Sequence, residues 1–235
     1  MKPWILLGEA RMPDGTDIRL QRRDTEFSIF AAGRVLMSSR MHGSEEAHVA
    51  LACERAKTLE RPTVLIGGLG LGYALRAALD LLPPAATVVV AELLPAVVEW
   101  NRGPLGPLAS HPLTDRRVHI EVTDVAAVLK ASAGRFDAVM LDVDNGPNAF
   151  TTLSNAWLYS DAGIAAAHKA LTSEGVLAVW SAWEERKFEQ RLRYGGFTVE
   201  TVRVRARLKQ GGPRHTIFLG HRDARAPRGR RTQRI

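Results

Sequence analysis

The sequence predicts an α/β protein with a doubly wound, mostly parallel seven-stranded sheet, an antiparallel C-terminal hairpin strand and a small N-terminal β appendage. Three observations predict this fold class. After Pro62, short runs rich in Val, Leu and Ile alternate with helical stretches, as in parallel sheets covered on both faces. A glycine-rich segment, 67–72, joins the first of these runs to a helix. Two later apolar runs are joined by Lys-Gln-Gly-Gly-Pro, which is typical of a hairpin.

Residues 1–43 predict the β appendage. Extended stretches at 4–7, 18–22, 26–30 and 34–37 are separated by turn signals such as Pro-Asp-Gly and Ala-Gly. Ser44 then precedes Glu45 and Glu46, which predicts a hydroxyl-capped helix that runs to about residue 58.

Residues 44–221 predict the main domain. Its parallel strands are expected at 64–67, 87–92, 118–122, 136–142 and 176–180. The helices between them are expected at 73–82, 96–101, 125–131 and 157–171. A helix at 184–194 leads into the hairpin strands 197–207 and 215–221. Residues 222–235 predict a disordered tail rich in arginine.

Composition restricts the class of protein. The 235 residues are 46% hydrophobic and 24% charged, as in globular domains. Cys53 is the single cysteine, which excludes an intramolecular disulfide and a cysteine zinc cluster and fits a reducing cytoplasm. The uncharged, glycine-rich stretch 62–75 is too short to span a bilayer, and the N-terminal apolar run is too short for a signal peptide. We therefore expect a cytoplasmic protein without a membrane segment.

The tail carries most of the net charge of +7. From Arg222 onward there are six arginines and one acid, so the body of the protein is close to neutral. A solvated, disordered end is the favoured interpretation, and contact with nucleic acid or an acidic partner is the alternative. A homodimer is left open.

The ends of the strands indicate where a ligand binds, because open α/β sheets bind ligands beyond the carboxyl ends of their strands. The first strand is followed by a loop whose glycines let the backbone approach a ligand, at Gly67, Gly68, Gly70 and Gly72. The spacing is not the dinucleotide-binding pattern, because Tyr73 or Leu75 occupies the third glycine position. A tight turn without a ligand is the alternative.

Acids follow the next strands. Glu92 ends the second strand and is suited to a ribose diol, and Asp124 follows the third strand and is suited to an adenine amino group. Either acid taken alone is often only a helix cap. Together with the glycine loop, in this order, they predict a nucleoside-bearing cofactor.

The fourth strand ends in Asp142-Val-Asp144-Asn-Gly-Pro. Its two carboxylates could hold a cationic amine, and one could accept a proton as the amine nitrogen attacks. Turn formation by Asp-Asn-Gly-Pro is the alternative. His42 and His48 are expected in capping or packing roles, and Trp180 and Trp183 in packing or as pocket walls. No spacing of histidines and acids suggests a metal, and Ser181 lacks the surroundings of a hydrolase nucleophile.

Five segments complete the pattern: Val64-Leu-Ile-Gly-Gly-Leu-Gly-Leu-Gly, Ala91-Glu92-Leu, Thr123-Asp124, Asp142-Val-Asp144-Asn-Gly-Pro and Leu171-Thr-Ser-Glu-Gly-Val-Leu. Over roughly residues 33–182 this pattern resembles the spermidine synthase family of aminopropyltransferases. That family has the Rossmann-like class I S-adenosylmethionine methyltransferase fold and acts in polyamine biosynthesis.

The resemblance implies a transferase that moves an aminopropyl group from decarboxylated S-adenosylmethionine to an amine, without a metal. It implies ribose binding by Glu92, adenine binding by Asp124, proton acceptance by Asp142 and amine binding by Asp144. Tyr159 resembles an aromatic residue that the family places after its acidic loop.

The chain departs from the family around the acceptor. The family's glutamine after the hairpin glycine is replaced here by Arg34, and its tunnel tyrosine has no counterpart, although Glu45 and His48 resemble a later Glu and His. These departures affect the expected specificity for polyamines more than the expected binding of the cofactor. A methyltransferase using S-adenosylmethionine and a non-catalytic nucleoside-binding protein are the alternative functions.

Overall fold

The computed structural model describes residues 2–143, 155–206 and 212–223. The chain begins with a four-stranded antiparallel sheet, in which neighbours in sequence are neighbours in space. Its strands are β1 (Ile5–Arg11), β2 (Asp17–Arg23), β3 (Glu26–Ala31) and β4 (Arg34–Ser38). The predicted β appendage is confirmed.

A seven-stranded sheet forms the rest of the framework, with the strand order β10-β11-β9-β8-β5-β6-β7. β5 to β9 run parallel, and β11 is antiparallel to both its neighbours. This confirms the predicted fold class, including the hairpin strand. The strands are β5 (Thr63–Gly67), β6 (Thr87–Glu92), β7 (Val118–Val122), β8 (Phe136–Leu141), β9 (Leu171–Ser181), β10 (Thr198–Arg205) and β11 (Arg214–His221).

Helices cover both faces of the large sheet. Across the described residues they are α1 (Gly43–Ala52), α2 (Tyr73–Leu81), α3 (Pro95–Arg102), α4 (Val125–Ala131), α5 (Asp161–Ala170) and α6 (Arg186–Tyr194). Short 3₁₀ turns lie at Ala56–Thr58, Gly106–Ala109, Pro112–Thr114 and Asn155–Trp157. None of these helices is long and apolar enough to cross a bilayer.

The start of α1 differs from the prediction. His42, not Ser44, is the N-cap residue, and its side chain makes no capping hydrogen bond. The Ser44 hydroxyl lies 3.0 Å from Nδ1 of His215, so a tertiary contact takes the place of the expected cap. α1 also ends at Ala52, where the backbone turns into the 3₁₀ segment instead of continuing to residue 58.

Two further boundaries differ from the prediction. α5 begins at Asp161 because the Ser160 hydroxyl accepts a hydrogen bond from the Gly163 N–H and caps the helix there. β9 begins at Leu171, since Leu171 already pairs with Phe136 of β8. The domain boundaries at residues 43 and 221 stay predictions, and tail residues 224–235 lie outside the described residues.

The core has two parts, one on each face of the large sheet, because successive residues of a strand face opposite sides. Val64 and Ile66 of β5 pack with α1, α2 and α3, whereas Leu65 packs with α4, α5 and α6. The first part also contains Ile18, Leu20 and Ile29 from the N-terminal sheet. The N-terminal sheet therefore packs against the first face of the large sheet and shares that part of the core with it.

Gly8 permits close contact between β1 and α3. A Cβ on Gly8 would overlap Nε1 of the Trp100 indole and lie 3.0 Å from its Cε2. Trp100 is buried, and β1 has a register irregularity between Leu6 and Gly8. Only glycine lets the strand pass this close to the indole.

We expect Gly8→Ala to lower the free energy of unfolding by about 1–3 kcal/mol, because the added methyl overpacks the contact with Trp100. Urea denaturation measures this loss. In a double-mutant cycle, Trp100→Leu should recover part of it, with a coupling of at least about 0.5 kcal/mol. Purely additive effects would contradict the proposed contact.

Candidate active site

A cavity of about 400 Å³ lies between the N-terminal sheet and the carboxyl edge of the large sheet. β3 and β4 contribute apolar side chains such as Ile29, Leu36 and Met37, and the large sheet contributes the strand ends. Cavities of this volume suit small organic ligands. The N-terminal sheet is therefore one wall of the candidate site.

The glycine loop forms the floor at the end of β5. Gly68 has φ +92°, and a Cβ there would lie 3.0 Å from the carbonyl oxygen of Asp142. Gly70 has φ +53°, and a Cβ there would lie 2.7 Å from Cε of Met37. Gly67 closes β5 and Gly72 is the N-cap residue of α2. The predicted loop thus needs glycine for both its backbone conformation and its close packing.

Glu92 connects the end of β6 to this loop. Its Oε2 accepts a hydrogen bond of 2.8 Å from the Leu69 N–H, and its Oε1 accepts one of 2.9 Å from the Leu94 N–H. Burial raises the pKa of Glu92, and the backbone N–H groups partly oppose this rise. The carboxyl group also lines the cavity.

Asp124 caps a helix and also lies at the cavity. Its Oδ1 accepts a hydrogen bond of 2.8 Å from the Ala126 N–H and caps α4. Asp124 also lines the cavity, next to Val125. A carboxylate that caps with one oxygen can offer the other oxygen to a ligand.

Asp142 and Glu45 bring two carboxyl groups into the same cavity from distant parts of the chain. Asp142 follows β8, and Glu45 lies in the first turn of α1. Burial raises the pKa of Glu45 well above its ordinary value, and the charges of Asp142 and Glu46 raise it further. The two carboxyl groups are therefore suited to bind a cation.

Asp144 and Tyr159 are the remaining residues that the sequence predicts near the amine acceptor. Asp144 lies outside the described residues. Tyr159 is buried, 3% exposed, and packs edge-on against Phe188 with ring centroids 5.8 Å apart. That position is in the core between the large sheet and α6, away from the cavity wall.

The histidines and tryptophans that the sequence analysis considered lie partly in the core and partly at the cavity. His48 is buried in the core, where burial lowers its pKa to about 4. His42 stacks on Tyr73 with ring centroids 4.1 Å apart. Trp180 lines the cavity, whereas Trp183 is 51% exposed and lies outside its wall.

Sequence reasoning missed Asn101 and His215. The buried Asn101 amide donates hydrogen bonds of 2.9 Å to the carbonyl oxygens of Gly70 and Val97, which ties the glycine loop to α3. His215 lines the cavity at the start of β11. The available signals were an amide next to Trp100 near the end of α3 and a histidine two residues after a glycine-proline pair.

The charge of the cavity wall is one-sided. Among the described residues that line it, the acidic side chains are those of Glu45, Glu92, Asp124 and Asp142, and none is a lysine or arginine. In the same part of the chain, no three His, Cys, Asp or Glu side chains are grouped to hold a metal ion. The acidic wall favours a ligand with positive charge.

Comparison of the sequence finds no matching family model and no similar curated protein. The fold does resemble solved structures. A spermidine synthase in complex with the transition state analogue AdoDATO superposes with a TM-score of 0.70 at 16% identity, covering 94% of this chain and 73% of that chain.

Two further structures give similar values. Spermidine synthase from Thermotoga maritima has a TM-score of 0.69 at 16% identity, covering 94% of this chain and 74% of its own. A probable spermidine synthase from Corynebacterium glutamicum has a TM-score of 0.60 at 15% identity, covering 94% and 80%. At these identities the likeness establishes the fold.

We expect Glu45→Gln to stabilise the ligand-free protein increasingly as pH rises. The folded state raises the pKa of Glu45, so its contribution to stability is present below the ordinary value and is lost as pH rises through the raised value. Glutamine removes that loss. Urea unfolding at pH 4 and pH 8 measures the difference.

The matched control is Glu54→Gln, because Glu54 is exposed and paired with Lys57 outside the cavity. The effect of this variant should change much less between the two pH values than that of Glu45→Gln, because an exposed ion pair contributes little to stability. An equal pH dependence in the two variants would show that the cavity does not raise the pKa of Glu45.

Proposed function

We propose that this protein is an aminopropyltransferase that uses decarboxylated S-adenosylmethionine and an amine acceptor. The observation that carries the proposal is one cavity containing the glycine loop, two strand-end acids suited to a nucleoside, and the Asp142–Glu45 pair. The fold shared with the spermidine synthases supports it. One of those neighbours was solved with the transition state analogue AdoDATO.

The donor would lie over β5 and β6. The loop at Gly68 and Gly70 lets a nucleoside approach the backbone, Glu92 would accept the ribose hydroxyls, and Asp124 would accept the adenine amino group. Backbone N–H groups, among them those of Leu69 and Leu94, hold Glu92, so its carboxylate is oriented before the ligand arrives. Asn101 fixes the carbonyl of Gly70 from the opposite side.

The charge of the wall supports the decarboxylated donor. S-adenosylmethionine carries a carboxylate, which would need a cationic partner or a solvent path when it enters a cavity of acids. Decarboxylated S-adenosylmethionine has a sulfonium and an ammonium group and no carboxylate, so its charges complement the wall. Glu45 would lie opposite the ammonium group, and the new ion pair would lower its raised pKa.

The transfer would be a direct displacement. The lone pair of a neutral amine attacks the propyl carbon bonded to sulfur, forming a C–N bond while the C–S bond breaks. The bonding pair stays on sulfur, which leaves as neutral methylthioadenosine. Asp142 takes the proton of the attacking nitrogen, and Asp144 would hold the amine near it. The apolar wall from β3 and β4 excludes water from the sulfonium.

Product analysis tests this assignment. With decarboxylated S-adenosylmethionine and a panel of primary amines, we expect release of methylthioadenosine with formation of the aminopropylated amine. Release of S-adenosylhomocysteine from S-adenosylmethionine would instead assign a methyltransferase. Tight nucleoside binding without turnover of either donor would assign a binding protein.

We expect Asp142→Asn to lower kcat by about 10²–10⁴-fold, because the amide cannot accept the amine proton. The Kd for methylthioadenosine should stay within about twofold, since Asp142 acts on the acceptor side. Asp161→Asn is the control, because Asp161 is an exposed acid at the start of α5. An unchanged kcat in Asp142→Asn would remove the proposed base.

A further inference from the structure

Gly70 is the point at which the glycine loop, the N-terminal sheet and α3 meet. It lines the cavity with φ +53°, and a Cβ there would lie 2.7 Å from Cε of Met37. Glycine has more backbone freedom than any other residue, so its conformation has to be fixed by its neighbours. Partners for both polar groups of the Gly70 backbone come from β6 and α3.

These two partners are Glu92 and Asn101. The Gly70 N–H is among the backbone N–H groups that donate to Glu92 and partly oppose the rise in the pKa of that carboxyl group. The Gly70 C=O accepts a hydrogen bond of 2.9 Å from Nδ2 of Asn101. Glu92 ends β6 and Asn101 lies in the last turn of α3, so one continuous segment of the chain holds Gly70 at both ends.

Asn101 lies behind the cavity wall and is not one of its lining residues. It is 1% exposed, and its Nδ2 also donates a hydrogen bond of 2.9 Å to the carbonyl oxygen of Val97 in the preceding turn. Its Oδ1 lies 2.8 Å from the position that a Cβ on Gly72 would take. The amide therefore contacts two glycines of the loop from outside the space that a ligand would occupy.

The two ends of the Asn101 amide have opposite effects on stability. The hydrogen bond to Gly70 stabilises the folded protein, whereas Oδ1 has no hydrogen-bond partner among the described residues and its burial is costly. A leucine of similar branched shape removes both effects at once. Substitution of Asn101 by leucine can therefore separate the stability of the fold from the placement of Gly70.

We propose that Asn101 is a positioning residue for the donor nucleoside, which acts through Gly70 on the glycine loop and on Glu92. This inference rests on the proposed function, in which the loop approaches the nucleoside and Glu92 accepts the ribose hydroxyls. With its carbonyl held toward α3, Gly70 keeps its N–H on Glu92 and its C=O away from the ligand. Asn101 therefore sets the affinity for the donor and has no part in the proton transfer at Asp142.

Calorimetric titration of Asn101→Leu with methylthioadenosine tests the inference. We expect the Kd to rise about tenfold or more, as for the loss of one buried hydrogen bond, while the midpoint of urea unfolding changes little. Asn101→Ala also lacks the donor N–H and should show the same rise in Kd. Arg102→Gln is the control, because Arg102 is the next residue of α3, is exposed and pairs with Glu99. An unchanged Kd in the two Asn101 variants overturns the inference and leaves the proposed function standing.

Steady-state kinetics separate donor positioning from a general loss of structure. Asn101→Leu should raise the KM for decarboxylated S-adenosylmethionine about tenfold or more. The KM for the amine, and kcat at saturating donor, should change less than about twofold, since neither depends on the placement of Gly70. Equal changes in the two KM values, or a loss confined to kcat, would contradict a positioning role.

A double-mutant cycle with Glu92→Gln tests whether Asn101 acts through Gly70 and Glu92. Both substitutions disturb the same chain of contacts, so the rise in Kd for methylthioadenosine in the double variant should be at least about threefold smaller than the product of the single rises. A rise equal to that product overturns the proposed connection. If the unaltered protein neither binds methylthioadenosine nor releases it with any amine, the proposed function itself is overturned.

Discussion

The grouping of carboxyl groups beneath an apolar sheet is the constraint on which the site depends. Glu45, Glu92, Asp124 and Asp142 meet in one cavity, and the described wall holds no lysine or arginine to balance them. The backbone N–H groups of Leu69 and Leu94 donate hydrogen bonds to Glu92, and the Ala126 N–H donates one to Asp124. The pKa of Glu45, in contrast, is raised by burial and by the charge of Asp142. A cationic ligand relieves this imbalance, which links the architecture to the proposed donor.

The N-terminal sheet creates this constraint. It shares a hydrophobic core with the first face of the large sheet and reaches the glycine loop through Met37. Without it, the strand-end acids would face water, where their mutual repulsion is screened and their selectivity for cations is small. The tight contact between Gly8 and Trp100 therefore affects the site from a distance, because it sets where the sheet lies.

Much of this could be predicted because it depends on local patterns. Alternating apolar runs indicate the parallel sheet, and the glycine loop, Glu92 and Asp124 follow strands whose ends must meet at one edge. The pairing of Glu45 with Asp142 and the contact of Ser44 with His215 join distant segments, so periodicity carries no signal for them. Tyr159 is a different case: similarity in sequence position suggested a pocket residue, whereas the structure places its ring in the core beside Phe188, so its contact with a substrate stays a prediction.

The central claim is that the cavity selects a cationic donor without a carboxylate, and calorimetric titration with decarboxylated S-adenosylmethionine and with S-adenosylmethionine tests it most directly. The two ligands differ by one carboxylate, so the difference in affinity isolates the charge of the wall. We predict that the decarboxylated compound binds at least about tenfold more tightly, a difference of about 1.4 kcal/mol. Equal affinity, or tighter binding of S-adenosylmethionine, would contradict the account.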